Sequence, residues 1–256
     1  ALRRRVAAWR RAGHSIHFVP TMGALHDGHR RLIERAGRGS RRKVVVSIFV
    51  NPAQFGPGED YDAYPRTLAA DRDLCRKAGA HLIFAPRPSE MYPDGFVTNV
   101  HVDELGATLC GPFRPGHFDG VTTVVMKLLN LVLPDRLVLG QKDAQQAAIV
   151  RRMIRDLDQP VRLDVAPTVR EKDGLAMSSR NRYLSAAERR AAPLLYRALA
   201  AARGKVSGGE TDAARLIEGI REMLSTRPLI RPQYVEIVDF DSLKPVSAVR
   251  GKVLIA

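Results

Sequence analysis

Cysteine is nearly absent from this chain: two in 256 residues, Cys75 and Cys110. Two thiols cannot build a disulfide framework or a CxxC metal site. Long apolar runs are missing too, and no stretch reaches the roughly 18 residues a membrane helix needs. The basic opening, ALRRRVAAWRRAGHS, starts like a signal peptide, but no apolar core follows before His14. It reads as a basic amphipathic helix, and a reducing, cytoplasmic setting is expected. Aromatic residues make up only 6% of the chain, with one Trp. Acids are the minority charge, 27 against 41 Lys and Arg, which leaves a net +14. That excess suggests a partner carrying phosphates. No aromatic stripe or nucleic-acid-binding fingerprint accompanies it. A small phosphorylated substrate accounts for the charge more economically, and a nucleic-acid partner is not expected. A hydrophobic content of 45% fits a folded chain rather than a disordered one.

Short apolar runs alternate with helical patterns over the first two thirds. Strands are expected at 16–19, 43–50, 81–85, 136–140 and 161–166. The second of these, KVVVSIFV, is β-branched and bounded by Asn51-Pro52, as buried strands are. Helices are expected at 29–36, 67–78, 121–133 and 144–157, the third apolar on most faces and therefore buried. This alternation predicts an α/β fold: a Rossmann-like parallel sheet with helices on both faces, over residues 1–168. Such sheets bind ligands outside the carboxyl ends of their strands. After Val169 the texture changes. Ser185 to Glu188 forms a capping box expected to open one long Ala-rich helix. A second helix is expected at 212–224, with strands at 234–240 and 253–256. Residues 169–256 are expected to form a smaller α+β lid domain.

Four stretches carry residues suited to chemistry. In VPTMGALHDGHRRLIERA, His26 and His29 stand where a strand runs into a helix. A helix N-terminus attracts phosphate through its free N–H groups and dipole. Histidines there add donors without a permanent cation, and Gly23 and Gly28 let a ligand approach the backbone. Asp27 is expected to cap the helix. Zinc is the weaker reading, because these two histidines find no third ligand. In SIFVNPAQFGPGEDYDAYPRTLAAD, Asn51 and Gln54 follow a buried strand, where neutral amides can bind a carboxylate or hydroxyl. A plain surface loop explains that stretch equally well. Asp71 is either a surface acid or a partner of Mg²⁺ through water. In VLGQKDAQQ, Gly140 ends a strand, Lys142 projects at its carboxyl edge, Asp143 can cap the next helix, and Gln146 lies one turn in. In REKDGLAMSSRNRYLS, Ser178, Ser179 and Arg180 offer a phosphate clamp, with Gly174 as a hinge for loop motion.

PTMGALHDGH, VNPAQF, DAYPRT, RPGHFDGVTTVV, QKDAQQ and AMSSRNRYLS occur in that order between about residues 18 and 185. Together they resemble the pantothenate synthetase (pantoate–β-alanine ligase) family; the C-terminal third is looser. More distantly, HDGH resembles the HIGH signature of class I aminoacyl-tRNA synthetases and nucleotidylyltransferases, with MSSRN in the place of their KMSKS loop. The resemblance implies a homodimer and the ligands ATP, Mg²⁺, pantoate and β-alanine. It implies that His26, His29, Lys142, Ser178, Ser179 and Arg180 act on the ATP phosphates. Nucleotide contacts are implied at Met22, Gly28, Gly140, Asp143 and Met177, Gly140 and Asp143 lying at the ribose. Pantoate would be surrounded by Met22, Gln54 and Gln146, with Asn51 and Tyr64 nearby and Val124 and Val125 on its apolar side. Asp71 matches an acid implicated near Mg²⁺. Two positions depart from the family pattern: Gln141 and Cys110 stand where glutamates are usual.

The implied reaction is an ATP-dependent, AMP-forming condensation of pantoate with β-alanine through a pantoyl adenylate. No candidate Cys–His or Ser–His–Asp set stands in the chain, and the reaction needs no protein nucleophile. The alternative is a nucleotidylyltransferase using the same HxGH site on another small substrate, whose product would keep the AMP.

Overall fold

The computed structural model describes all 256 residues. Contacts divide them into two units: Ala1–Gly106 with Arg114–Val169, and Ala107–Phe113 with Arg170–Ala256. The first unit runs α1 (Leu2–Arg11), β1 (Ser15–Thr21), α2 (Asp27–Gly37), β2 (Arg42–Ile48), α3 (Leu68–Lys77), β3 (Leu82–Phe84), α4 (Pro88–Met91), α5 (His117–Val132), β4 (Arg136–Gly140), α6 (Ala144–Asp156) and β5 (Arg162–Ala166). Its five strands form one parallel sheet in the order β3-β2-β1-β4-β5.

The alternation of side chains explains the layers. Along β2, Val45 points into one core, with Ile16, Phe18 and Leu137 and with Val6, Val125, Leu129, Val150 and Met153 from α1, α5 and α6. Val44 and Val46 point the other way, with Val19, Val138, Ile33 of α2 and Cys75 of α3. Both faces of the sheet are therefore covered, as the β-branched run in β2 requires. Helix α5 carries twelve buried residues, from His117 to Val132, in keeping with its all-round apolar sequence.

The chain leaves β1 for β2 on one side and β4 on the other, so the order reverses between β1 and β4. Ligands bind at such a reversal. Here the two strands pair only at His17↔Arg136 and Phe18↔Leu137, whereas β1 pairs with β2 over seven positions. Pro20, two residues beyond Phe18, has no N–H to extend a ladder. The carboxyl ends of β1 and β4 are thus not paired with each other, and the loops bearing His26 and Lys142 start there.

The second unit contains α7 (Ala186–Ala191), α8 (Pro193–Ser207), α9 (Ala213–Ser225), β6 (Ile237–Asp239) and β7 (Val253–Ile255), with β6 and β7 antiparallel. Ala198, Ala202, Leu216, Ile220, Leu224, Val235 and Ile237 make its own core. The short segment Ala107–Phe113 belongs to this unit, where Phe113 stacks on Tyr234 at 6.1 Å. Two expectations need correction. The capping box at Ser185 opens a helix of six residues, not a long one. Pro193 lacks the N–H that a helix interior needs and instead occupies the first turn of α8. The strand expected over 234–240 shrinks to three residues, because its partner β7 offers three positions for pairing.

Candidate active site

The turn after β1 is held in an unusual backbone conformation. Gly23 and Ala24 both have left-handed backbone, φ 87° and 49°. For alanine that costs on the order of 1 kcal/mol. The buried carboxylate of Asp71, from α3, holds the turn there. It accepts from Ala24 N–H at 3.0 Å, Leu25 N–H at 2.8 Å and Thr67 Oγ1 at 3.2 Å. Asp71 is only 2% exposed and is no surface acid. Gly23 is needed for its φ and for Asp71 itself: a Cβ would lie 3.0 Å from Oδ2. The close approach that this glycine permits is to a protein carboxylate. With both oxygens engaged, Asp71 does not fit as a direct Mg²⁺ ligand. No group of three His, Cys, Asp or Glu side chains is placed to hold a metal ion.

Helix α2 is capped by His26, not by Asp27, which is its first residue and pairs with Arg30 at 2.9 Å. His26 Nδ1 accepts from Gly28 N–H at 3.1 Å, and His29 Nδ1 accepts from His26 N–H at 3.3 Å. Backbone N–H groups can only donate, so both Nδ1 atoms are acceptors and each neutral ring carries its proton on Nε2. The rings lie 4.1 Å apart. The His29 pKa is pushed down to about 3, by burial above all and also by the nearby His26 and Lys142. The HxGH turn therefore presents neutral imidazole N–H donors at a helix N-terminus. Lys142, in the turn after β4, adds the positive charge. Its Nζ rests 3.0 Å from Asp143 Oδ1 in an exposed ion pair, which a phosphate can replace at little cost. Asp143 occupies the N-cap position of α6, but its side chain makes no capping bond, because Lys142 engages it. Gly140 ends β4, and a Cβ there would meet no heavy atom within 4 Å.

Past the carboxyl end of β2, Asn51 and Gln54 are buried, 1% and 9% exposed. Asn51 Nδ2 donates to Gln54 Oε1 at 3.2 Å and to the Gly120 carbonyl at 3.0 Å. Gln54 Nε2 lies 3.0 Å from Met22 Sδ. The plain surface-loop reading of this stretch is thereby excluded. Helix α5 approaches so closely that a Cβ on Gly120 would fall 2.1 Å from the Ala53 carbonyl oxygen. A relay fixes the loop from its other side. Arg114 forks onto Glu59 at 2.9 and 2.7 Å and donates to His117 Nε2 at 2.9 Å. His117 Nδ1 in turn donates to the Gln54 carbonyl at 2.8 Å. Tyr64 is buried edge-on to Phe55 at 6.0 Å. Val124 and Val125 are buried on α5, and Gln146 is half-buried near the start of α6.

The remaining candidates, Met177, Ser178, Ser179 and Arg180, lie in the second unit. Ser178 Oγ accepts from Arg180 N–H at 3.2 Å and caps the short helical turn Ser179–Tyr183. Ser179 is buried and Arg180 exposed. Gly174 is not a free hinge. It is buried at φ 94°, and a Cβ would lie 2.2 Å from the Tyr196 ring. Arg189 clasps Glu171 and Asp173, the latter at 2.6 Å, so this turn is an anchor ahead of the MSSRN loop.

A family model, pantoate-beta-alanine ligase, matches residues 1–256. The chain belongs to the pantoate–β-alanine ligase family. It is 54% identical to a pantothenate synthetase of Heliobacterium modesticaldum, over 99% of this chain and 91% of that one. It is 51% identical to a pantothenate synthetase of Moorella thermoacetica, over 100% and 90%. Its fold matches the crystal structure of pantothenate synthetase from Thermus thermophilus with a TM-score of 0.91 at 50% identity, covering 97% of this chain and 90% of that one. A pantoate-beta-alanine ligase from Francisella tularensis, complexed with beta-gamma ATP and beta-alanine, matches with a TM-score of 0.71 at 34% identity, over 86% and 83%. Of the two departures from the family pattern, Gln141 is exposed and Cys110 half-buried. No helix is long and apolar enough to cross a membrane.

Reasoning from the sequence alone missed the residues that support this ligase site. His117 and Gly120 stood inside RPGHFDG without a role, and Tyr92, whose hydroxyl meets Asn51 at 2.7 Å, was not singled out. The one available signal was Gly120 opening a long apolar helix, where a glycine is costly unless something packs against it.

Proposed function

We propose that this chain condenses pantoate with β-alanine at the expense of ATP, through a pantoyl adenylate, releasing AMP and pyrophosphate. One arrangement carries the reading: neutral imidazole donors and Lys142 at the carboxyl ends of β1 and β4, beside the buried amides after β2. A phosphate chain suits the first set and a hydroxy acid the second.

In the first step a pantoate carboxylate oxygen bonds to the α-phosphorus. The bond from that phosphorus to the bridging oxygen breaks, and pyrophosphate leaves with the electron pair. Charge grows on the non-bridging and leaving oxygens. His26, His29 and Lys142 stabilise it by position and electrostatics; the same role falls to Ser178, Ser179 and Arg180 by the family resemblance. Gln54 and Gln146 hold pantoate, with Met22, Asn51 and Tyr64 around it and Val124 and Val125 on its apolar side. Gly28, Gly140, Asp143 and Met177 border the nucleotide. In the second step the β-alanine amine attacks the acyl carbon, AMP leaves, and the amine proton passes to solvent or phosphate. Mg²⁺ would be held chiefly by the nucleotide phosphates, whose charge it would offset, with Asp71 reaching it only through water. The active assembly is a homodimer, measurable by light scattering.

The test is incubation with ATP, Mg²⁺, β-alanine and pantoate labelled with ¹⁸O in its carboxylate. Pantothenate, AMP and pyrophosphate should form in equal amounts, with one label transferred to AMP. Unlabelled AMP would rule out the adenylate. A product that retains AMP would instead mark a nucleotidylyltransferase.

A further inference from the structure

Two partners of Asn51 are backbone groups, and they fix its amide. Ala53 N–H can only donate, and it faces Oδ1 at 3.3 Å. The Gly120 carbonyl can only accept, and it faces Nδ2 at 3.0 Å. Oxygen therefore points toward Ala53 and nitrogen toward Gly120. Tyr92 Oη lies 2.7 Å from that same Oδ1, so its hydroxyl must donate. The other Nδ2 hydrogen goes to Gln54 Oε1 at 3.2 Å, which turns the Gln54 oxygen inward and its NH2 outward. The only protein acceptor that NH2 meets is Met22 Sδ, at 3.0 Å. A thioether is a weak acceptor, so a carboxylate or hydroxyl oxygen displaces it readily.

We propose that Tyr92 is a positioning residue for the acid substrate: by donating to Asn51 it locks the Asn51–Gln54 pair with the Gln54 N–H donors facing the ligand. The inference rests on the reading that Gln54 binds the acid. Of the two bonds to Asn51 Oδ1, the one from Ala53 is long, and the phenol supplies the short one. Reversal of the pair would set a carbonyl oxygen against the carboxylate, a repulsive contact. The ring is itself held, with Phe96 at 5.2 Å and Phe49 at 6.3 Å between centroids, and Lys127 Nζ 5.7 Å from its centre. Burial pushes the phenol's pKa up to about 12, so the hydroxyl keeps its proton through the working range.

Tyr92→Phe keeps the ring packing and removes only the donor. The KM for pantoate should rise about five- to tenfold, as the loss of one such bond predicts. The kcat, the KM for ATP and the thermal midpoint should stay near those of the wild type. In a Gln54→Ala background, the same change should leave the pantoate KM where Gln54→Ala put it. An unchanged pantoate KM, a parallel rise in the ATP KM, or an equal further rise in the Gln54→Ala background would overturn the inference while leaving the functional reading intact. A wild-type chain that does not turn over pantoate would overturn both.

Discussion

His26 does two jobs with one ring. Nδ1 caps α2, which leaves the ring's proton on Nε2 as a donor. The jobs separate by substitution, because Asn caps helices well but cannot place a donor at the Nε2 position. His26→Asn should lower kcat/KM by about 100-fold or more, the cost of one lost charge-stabilising donor. Its unfolding free energy should stay within about 1 kcal/mol of the wild type. Steady-state kinetics and urea unfolding check the pair, and near-normal turnover would remove His26 from the mechanism. Gly120 shows the opposite case, a residue whose value is the absence of a side chain. Gly120→Ala places a Cβ 2.1 Å from the Ala53 carbonyl, so helix and loop must separate. We expect a loss of about 1–3 kcal/mol, typical of overpacking, with a raised pantoate KM. Wild-type thermal stability in this variant would show that the two backbones can part freely.

Between elements, Asp71 is the fastener. It sits in the first turn of α3, yet its bonds go to the turn between β1 and α2. Asp71→Ala would leave two backbone N–H groups unpaired beside a strained Ala24. Each buried unpaired donor costs about 1–3 kcal/mol, so a destabilisation of about 2–5 kcal/mol is expected, with turnover lost as the HxGH turn relaxes. Denaturant unfolding measures the first effect and single-turnover AMP release the second. Full activity in Asp71→Ala would mean that the left-handed turn holds itself. A second fastener ties α2 to β4 and β5: Asp164 receives Arg35 at 2.8 Å and Arg136 at 3.2 Å. These bonds, Arg35's above all, hold the Asp164 carboxyl below the usual range.

For the whole molecule, pH dependence follows from the histidines. His29 and His17 both have lowered pKa values, burial being the largest cause in each. Below about pH 6.5 the unfolded chain takes up a proton at His29; the folded chain does so only near pH 3. Unfolding therefore binds protons across that window. The stability linked to His29 is complete above about 6.5 and declines as the pH falls toward 3. The urea midpoint should be lower at pH 5 than at pH 7.5, and His29→Asn should flatten the difference. A variant as pH-dependent as the wild type would show that His29 titrates normally in the fold.

The layered α/β order was legible in the bare chain, because strand and helix periodicities are local and the β-branched run of β2, stopped by Asn51-Pro52, reads as a buried strand. Both histidines, Lys142 and the two amides were legible as well, because each follows a strand and strand ends line such a crevice. The break at Pro193 is local too, since proline is excluded from a helix interior. Contacts across distant segments had to wait for the folded molecule. Asp71 meets Leu25, Gly120 meets Ala53 and Tyr92 meets Asn51 because folding brings separate loops to one sheet edge. No spacing rule encodes those meetings. The same applies to the protons: which ring nitrogen or amide atom faces outward depends on backbone groups that arrive only with the fold.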